Sequence, residues 1–584
     1  MNDCSFCEHD VAPYDRRNEE VASMGSREAG SLSSKRSGRV SFEHPDTIFI
    51  NGKFVTVDAR FSLARAVAVR DGRFVAVGEM EEIKALAGPS TAVVDLHGQT
   101  VLPGLIDTHA HVERAGLLRY TVQLNDVSTV EQALTRISEY AARTPKGRWI
   151  RGAQWHPVSQ LAEKRFLTRQ ELDRAAPNNP VCLPIGHFTL VNSEALALAG
   201  ITKETPDPDG GIIHRDKSTG EPNGTLEEAA EDLVHNLLPD WSDHERDEQM
   251  KHAMHYFNEF GLTSAISAAV DPATLRAHQR VRQRGEATLR ISAMYAPTGG
   301  LNPSMTIEEW ELFFSRIGVA SDFGDDWLSY SGVKLQIDGG MTLRTAAMRD
   351  GYPDDPDYKG TIVIEPARFN ALVATANRYG WRVGVHAVGD AAIDRVLDAY
   401  ALADAERSIR ERRFIVIHGS LMRRDQMERA RALGVRVDAQ TSFLWDKAAA
   451  VAKFLGRETA ERAFPMRTMI DVMGFEAVAQ GTDYPINLLS PFINIYVMVT
   501  RRDKNGDVYG EGERISREEA IRLYTSAASH YSFSEEKTGS IEPGKYADMV
   551  VLSDDIMSVP EEAIKDIVAT RTIVEGRTVF ERKR

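Results

Sequence analysis

Two histidines one residue apart, His109 and His111 in the phrase Thr-His-Ala-His, carry the first chemical signal in this chain. In extended backbone, residues i and i+2 project from one side about 7 Å apart at Cα, so both imidazoles can converge on one cation. A single His-x-His is weak evidence, but further metal-binding side chains stand within or at the ends of other apolar runs: Lys334, His386, His418 and Asp483. Imidazoles with carboxylate suit a divalent metal, zinc best, with manganese, iron and cobalt compatible by ligand type. The number of ions, one or two, stays open.

Such residues need a scaffold that gathers them. Eight apolar runs alternate with helical patterns: Leu102 to Asp107, Leu262 to Ser267, Leu289 to Tyr295, Val333 to Ile337, Val383 to Val385, Phe414 to Ile417, Val435 to Ala439 and Ala477 to Gly481. This is the texture of βα units, and eight of them predict an α/β fold, a (β/α)8 TIM barrel over 105–538. The candidate ligands then fall at the C-terminal ends of the strands, where barrels build their sites. The stretch of about 120–258 exceeds one crossover helix and is expected to be an insertion over the barrel mouth.

Short strands with turn signals flank the barrel over 47–104 and 539–584. Asn51-Gly52, Asp71-Gly72 and Glu575-Gly576 read as hairpin turns, because both turn positions need positive φ. Neither flank alone can bury a core, so the two ends are expected to join as one small β-sandwich. Residues 1–46 mix charge with Ser and Gly and read as a flexible tail; its Cys4-x-x-Cys7 pair has no second ligand pair nearby and receives no role.

The 584 residues carry 70 Lys and Arg against 85 Asp and Glu, a formal charge of −15, which disfavours nucleic acid or an anionic membrane as partner. A small-molecule substrate fits better. Three cysteines (Cys4, Cys7, Cys182) and no apolar leader point to the cytoplasm, and a homodimer is the default for an enzyme of this size.

The phrase Val101-Leu-Pro-Gly-Leu-Ile-Asp-Thr-His-Ala-His111, the phrase Val385-His-Ala-Val-Gly-Asp390, Gly481-Thr-Asp483 and the closing Gly539-Ser-Ile-Glu-Pro-Gly-Lys-Tyr-Ala-Asp-Met-Val-Val-Leu552 resemble the amidohydrolase superfamily. The nearest likeness is to its amidohydrolase 3 branch, the group of N-substituted formamide deformylase, and it runs from Thr47 to Arg584. The resemblance implies that His109 and His111 bind the more buried metal and that His386 and His418 serve a second. It makes Lys334 the strand-four ligand, as a carbamylated side chain bridging two ions, and Asp483 both ligand and proton shuttle. Without carbamylation, Lys334 is expected to pair with Asp338. The reaction implied is hydrolysis of an amide-like carbon–nitrogen bond: a metal lowers the pKa of bound water to about 7 and polarises the carbonyl, while Asp483 acts as general base.

His187, in a segment similar to the family's insertion, is expected to hydrogen-bond the substrate carbonyl or cap a turn. Trp155, Phe188, Phe443, Trp445 and Tyr484 are candidates for an apolar or aromatic pocket, and Arg344 either clamps a carboxylate or anchors a loop. Three departures from the family pattern bear on specificity. The loop after Lys334 is altered, Ile417-His418-Gly419 lacks the carboxylate expected to orient His418, and Tyr484 follows Asp483 where a small residue is usual. The same ligands also suit decarboxylation, isomerisation, ester hydrolysis or a non-catalytic metal-binding protein, since a fold constrains reaction only loosely.

Overall fold

A computed structural model describes residues 44–583, apart from 125, 153, 154, 156, 186, 187 and 299–301. The N-terminal tail with Cys4 and Cys7, and His187, therefore lie outside the described residues. At the centre are eight parallel strands: β1 (Leu105–Ala110), β2 (Leu262–Val270), β3 (Arg290–Tyr295), β4 (Leu328–Gln336), β5 (Val383–Ala387), β6 (Ile415–His418), β7 (Arg436–Ala439) and β8 (Val478–Gln480). They hydrogen-bond in sequence order in one nearly closed sheet. The ends meet: the Asp483 amide, just past β8, donates to the His109 carbonyl of β1 at 2.7 Å.

Most of the strands read as largely apolar runs because both of their faces are buried. Alternate residues go to different clusters: Ile106, Ile266, Met294, Ile417 and Ala479 to one, Leu105, Ala265, Ala293, Val416 and Val478 to another. Tyr531 lies in the first cluster, its hydroxyl donating to the carbonyls of Val437 and Ala477.

Both chain ends contribute to a six-stranded sheet in which Met549–Leu552 runs antiparallel to Thr100–Pro103. A second, four-stranded sheet lies in the N-terminal flank, and one apolar cluster draws Phe49, Val67 and Phe74 from it and Phe54, Val101, Met549 and Ile573 from the other. The closing motif ties these parts together. Ile541 enters that cluster, while the Asp548 carboxylate holds Arg290 of β3 at 2.8 Å and the Glu575 amide at 2.9 Å. Asp71-Gly72 and Glu575-Gly576 are two-residue hairpin turns with positive φ at both positions.

Asn51-Gly52 is not a hairpin. Thr47–Ile50 pairs with Ala66–Arg70 and Ala92–Asp95, whereas Lys53–Val55 pairs with Leu63–Ala64 and Thr100–Pro103 in the other sheet. The turn carries the chain between sheets, and a Cβ on Gly52 would stand 2.6 Å from the Phe54 ring.

Between β1 and β2 the chain builds a separate five-stranded sheet, ordered Gly211–Arg215, Pro222–Glu228, Phe188–Val191, Val181–Pro184 and Ile150–Arg151. It has its own apolar clusters, one around Leu172, Leu183 and Leu190, another around Val191, Ile213 and Leu226. No helix among the described residues is long and apolar enough to cross a membrane.

Candidate metal centre

The C-terminal ends of the strands bring the predicted side chains together. His109 Nε2 and His111 Nε2 lie 3.5 and 3.7 Å from Asp483 Oδ1, and ligand atoms of the three residues fall within 4.8 Å of one another. His109 is buried, His111 half-buried, and Asp483 buried. The His418 ring stands 5.3 Å from that of His109 between centroids, and the His386 ring packs against His418 at 4.4 Å. Lys334 is buried on β4, its ammonium acting on all four imidazoles and facing the charges of Asp483 and Asp438.

Local backbone is arranged to aim these groups. His418 and Asp483 adopt left-handed φ values of 74° and 57°, conformations that cost a non-glycine residue roughly 1–2 kcal/mol each. Such strain persists only where surroundings enforce it. Asp107 holds the strand ends: its carboxylate accepts from the backbone and hydroxyl of Thr482 and from the His109 amide. Ile486 donates to the Asp483 carbonyl, and Asn487 to that of Thr482. A hydrogen bond to the Ala268 backbone steadies the His111 ring; it comes from a bulge in β2 where Ala269 has φ 57°.

Burial decides the protonation states. Desolvation, reinforced by Lys334, lowers His111 and His386 to about 3 and pushes His109 well down; for His418 desolvation is followed by His386 and then Lys334. Neutral imidazoles are the ligating form. Burial conversely raises the carboxyls of Asp107, Glu113 and Asp483 to about 7, with Lys334 opposing the rise at Asp483, and lowers Lys334 to about 8. Neutral donors and carboxylates short of positive charge are what a divalent cation would satisfy, so these residues fit a metal.

One expectation about a neighbour of the centre is corrected. Lys334 does not pair with Asp338, because the chain turns after β4 and the Asp338 carboxylate accepts the amides of Val388, Gly389 and Ala347. That clamp fixes the loop beyond His386. His418 has no carboxylate partner among the described residues, in line with its altered motif; its Nδ1 instead lies 2.6 Å from the amide oxygen Oε1 of Gln440. Sequence reasoning missed Gln440 and also Asp438, whose Oδ2 stands 3.3 Å from His109 Nδ1. A signal was present, since an Asp and a Gln two residues apart alternate with the apolar Val435, Val437 and Ala439 at the end of this run.

The remaining candidates are dispersed. Phe443 packs edge-on against His418 at 6.2 Å, beside the centre. Tyr484 receives the His111 amide on its carbonyl, while its ring turns to Tyr256 and Phe257. Trp445 packs on Tyr496, and Phe188 on Phe166 and His214. Trp155 is buried in the insertion's apolar cluster. Arg344 pairs with Asp354 at 2.9 Å beside Tyr352 and Tyr358, the anchoring alternative for this residue.

Comparison with known proteins agrees with this geometry. Residues 92–580 match the model of the amidohydrolase family. The N-substituted formamide deformylase of Arthrobacter pascens is 31% identical, the alignment covering 92% of this chain and 98% of that one. Protein LONG AFTER FAR-RED 3 of Arabidopsis thaliana is 30% identical over 92% of this chain and 91% of its own. Among solved structures, an uncharacterized metal-dependent hydrolase from Pyrococcus furiosus superposes with a TM-score of 0.70 at 26% identity, covering 88% of this chain and all of that one.

Proposed function

Because this chain belongs to the amidohydrolase family, we propose that it hydrolyses a carbon–nitrogen bond, amide, formamide or similar, in a small and partly apolar or aromatic molecule. The observation that carries the reading is the convergence of His109, His111 and Asp483 within 4.8 Å at the C-terminal end of the barrel sheet. His109 and His111 would hold one divalent ion through Nε2, zinc by donor type, with His386 and His418 serving a second. When bound, such an ion lowers the pKa of water and polarises a carbonyl oxygen. Lys334 supports a bridging role: an amine lowered to about 8 is neutral often enough near pH 7 to add carbon dioxide and become a carbamate anion.

Asp483 is the general base in this reading. Its carboxylate oxygen takes the proton of the attacking water and delivers it to the leaving nitrogen, which suits a carboxyl that burial has raised towards neutrality. His187 serves the carbonyl oxygen, and Phe443 offers an apolar wall beside His418. We read the two flanking sheets as one β-sandwich, supported by their shared apolar cluster, and the acidic, cysteine-poor chain as cytoplasmic.

A panel of N-formyl and N-acyl amines, with product masses identified, tests the proposal. Amine plus acid must form, and Asp483→Asn must lower kcat/KM by about 10²-fold or more. Turnover unchanged in Asp483→Asn, or products of decarboxylation or isomerisation, would refute it.

A further inference from the structure

His109 and His111 are an i, i+2 pair at the end of β1; Asp438 and Gln440 are an i, i+2 pair at the end of β7, facing the imidazoles of His109 and His418. Asp438 is buried, one carboxylate oxygen accepting from the Thr108 hydroxyl at 2.6 Å and the other 3.3 Å from His109 Nδ1. That ring nitrogen is itself buried and has no hydrogen-bond partner among the described residues, so the carboxylate is the acceptor facing it. The opposite nitrogen, Nε2, faces Asp483.

Gln440, two residues further along, repeats the arrangement towards β6. Its amide nitrogen donates to the Asp438 carbonyl at 3.0 Å, which commits its oxygen to His418 Nδ1 at 2.6 Å. An amide oxygen only accepts, so His418 Nδ1 must carry the proton and Nε2 the lone pair. We propose that Asp438 and Gln440 form an orienting row at the end of β7 that fixes the tautomers of His109 and His418, leaving both Nε2 lone pairs aimed at metal. The two are positioning residues, acting only through the imidazoles, and the inference rests on the metal-centre reading above. Carboxylate partners behind ligating histidines raise ligand basicity and hold ring orientation.

The test measures zinc affinity by chelator competition, together with the visible spectrum of the cobalt-loaded protein and the melting of the metal-free protein. Asp438→Ala and Gln440→Ala are each expected to weaken zinc binding at one site by about 10–100-fold and to shift the cobalt bands, with metal-free melting close to that of the unaltered protein. Asp438→Asn keeps an acceptor oxygen without the charge and should fall between. Affinity within about twofold of the unaltered protein in both alanine variants would overturn the row. So would losses of affinity that track losses of metal-free stability in Asp438→Asn as well as in Asp438→Ala. An unaltered protein that binds no divalent cation would instead overturn the metal centre itself, and this inference with it.

Discussion

Adding one methyl group at Gly481, in the variant Gly481→Ala, should disable the centre without replacing a ligand. Gly481 follows β8 where it passes β1, and a Cβ there would stand 2.5 Å from the His109 amide nitrogen and 2.7 Å from His109 Cβ. Ordinary van der Waals contact requires about 0.7–0.9 Å more, and both strands sit in a close-packed barrel that gives way reluctantly. Overpacking of this kind costs about 1–3 kcal/mol of stability. Any yielding moves His109 directly, and a displacement approaching 1 Å at a reacting centre costs about 10²-fold in rate. The assay is kcat/KM and bound metal per chain, with thermal melting alongside. Gly512→Ala, where an added Cβ meets nothing within 4 Å, is the neutral control. If Gly481→Ala keeps full metal content and activity within about threefold of the unaltered protein, the tight approach of β8 to β1 does not position His109 and the reasoning fails.

Lys334→Ala should lose metal occupancy and activity, and short-chain carboxylates such as formate or acetate should restore part of both by standing in for a carbamate; no rescue, together with indifference of the unaltered protein to bicarbonate, would count against the bridging role. Cys182, buried and raised by desolvation to about 12, should resist iodoacetamide at pH 8 in a Cys4→Ser/Cys7→Ser background and react only on unfolding, because its thiolate fraction there is about 10⁻⁴. Alkylation of the folded chain would show that the insertion opens more readily than its packing implies.

Much of the barrel was legible because parallel strands buried on both faces leave uninterrupted apolar runs, and the ligands punctuate the ends of those runs. Seven of the eight expected runs coincide with barrel strands, while the first, Leu102 to Asp107, straddles Thr100–Pro103 of the six-stranded sheet and β1; β4 starts at Leu328, five residues earlier than Val333, where Tyr330 and two serines hide the strand character. His109, His111, His386, His418 and Asp483 do gather. What stayed hidden depends on contacts far apart in the chain. Nothing local in Gln440 says that it will face His418, 22 residues away, nor in Asp438 that it will back His109 from across the sheet closure. Proximity in sequence misled at Asp338, four residues from Lys334, because backbone amides from another loop claimed its carboxylate first. Asn51-Gly52 carried the right dihedral signal for a turn, but a turn signal does not say whether the strands it joins will pair. Trp155 illustrates a broader ambiguity, since aromatic residues signal burial as readily as a binding wall.

Anomalous diffraction at the absorption edge of the native metal, on crystals of the unaltered protein, tests the centre most directly. The account predicts a peak about 2.0–2.2 Å from the Nε2 atoms of His109 and His111, and from a carboxylate oxygen of Asp483. A fully folded, active protein with no anomalous peak there, or with its metal bound elsewhere, would contradict it.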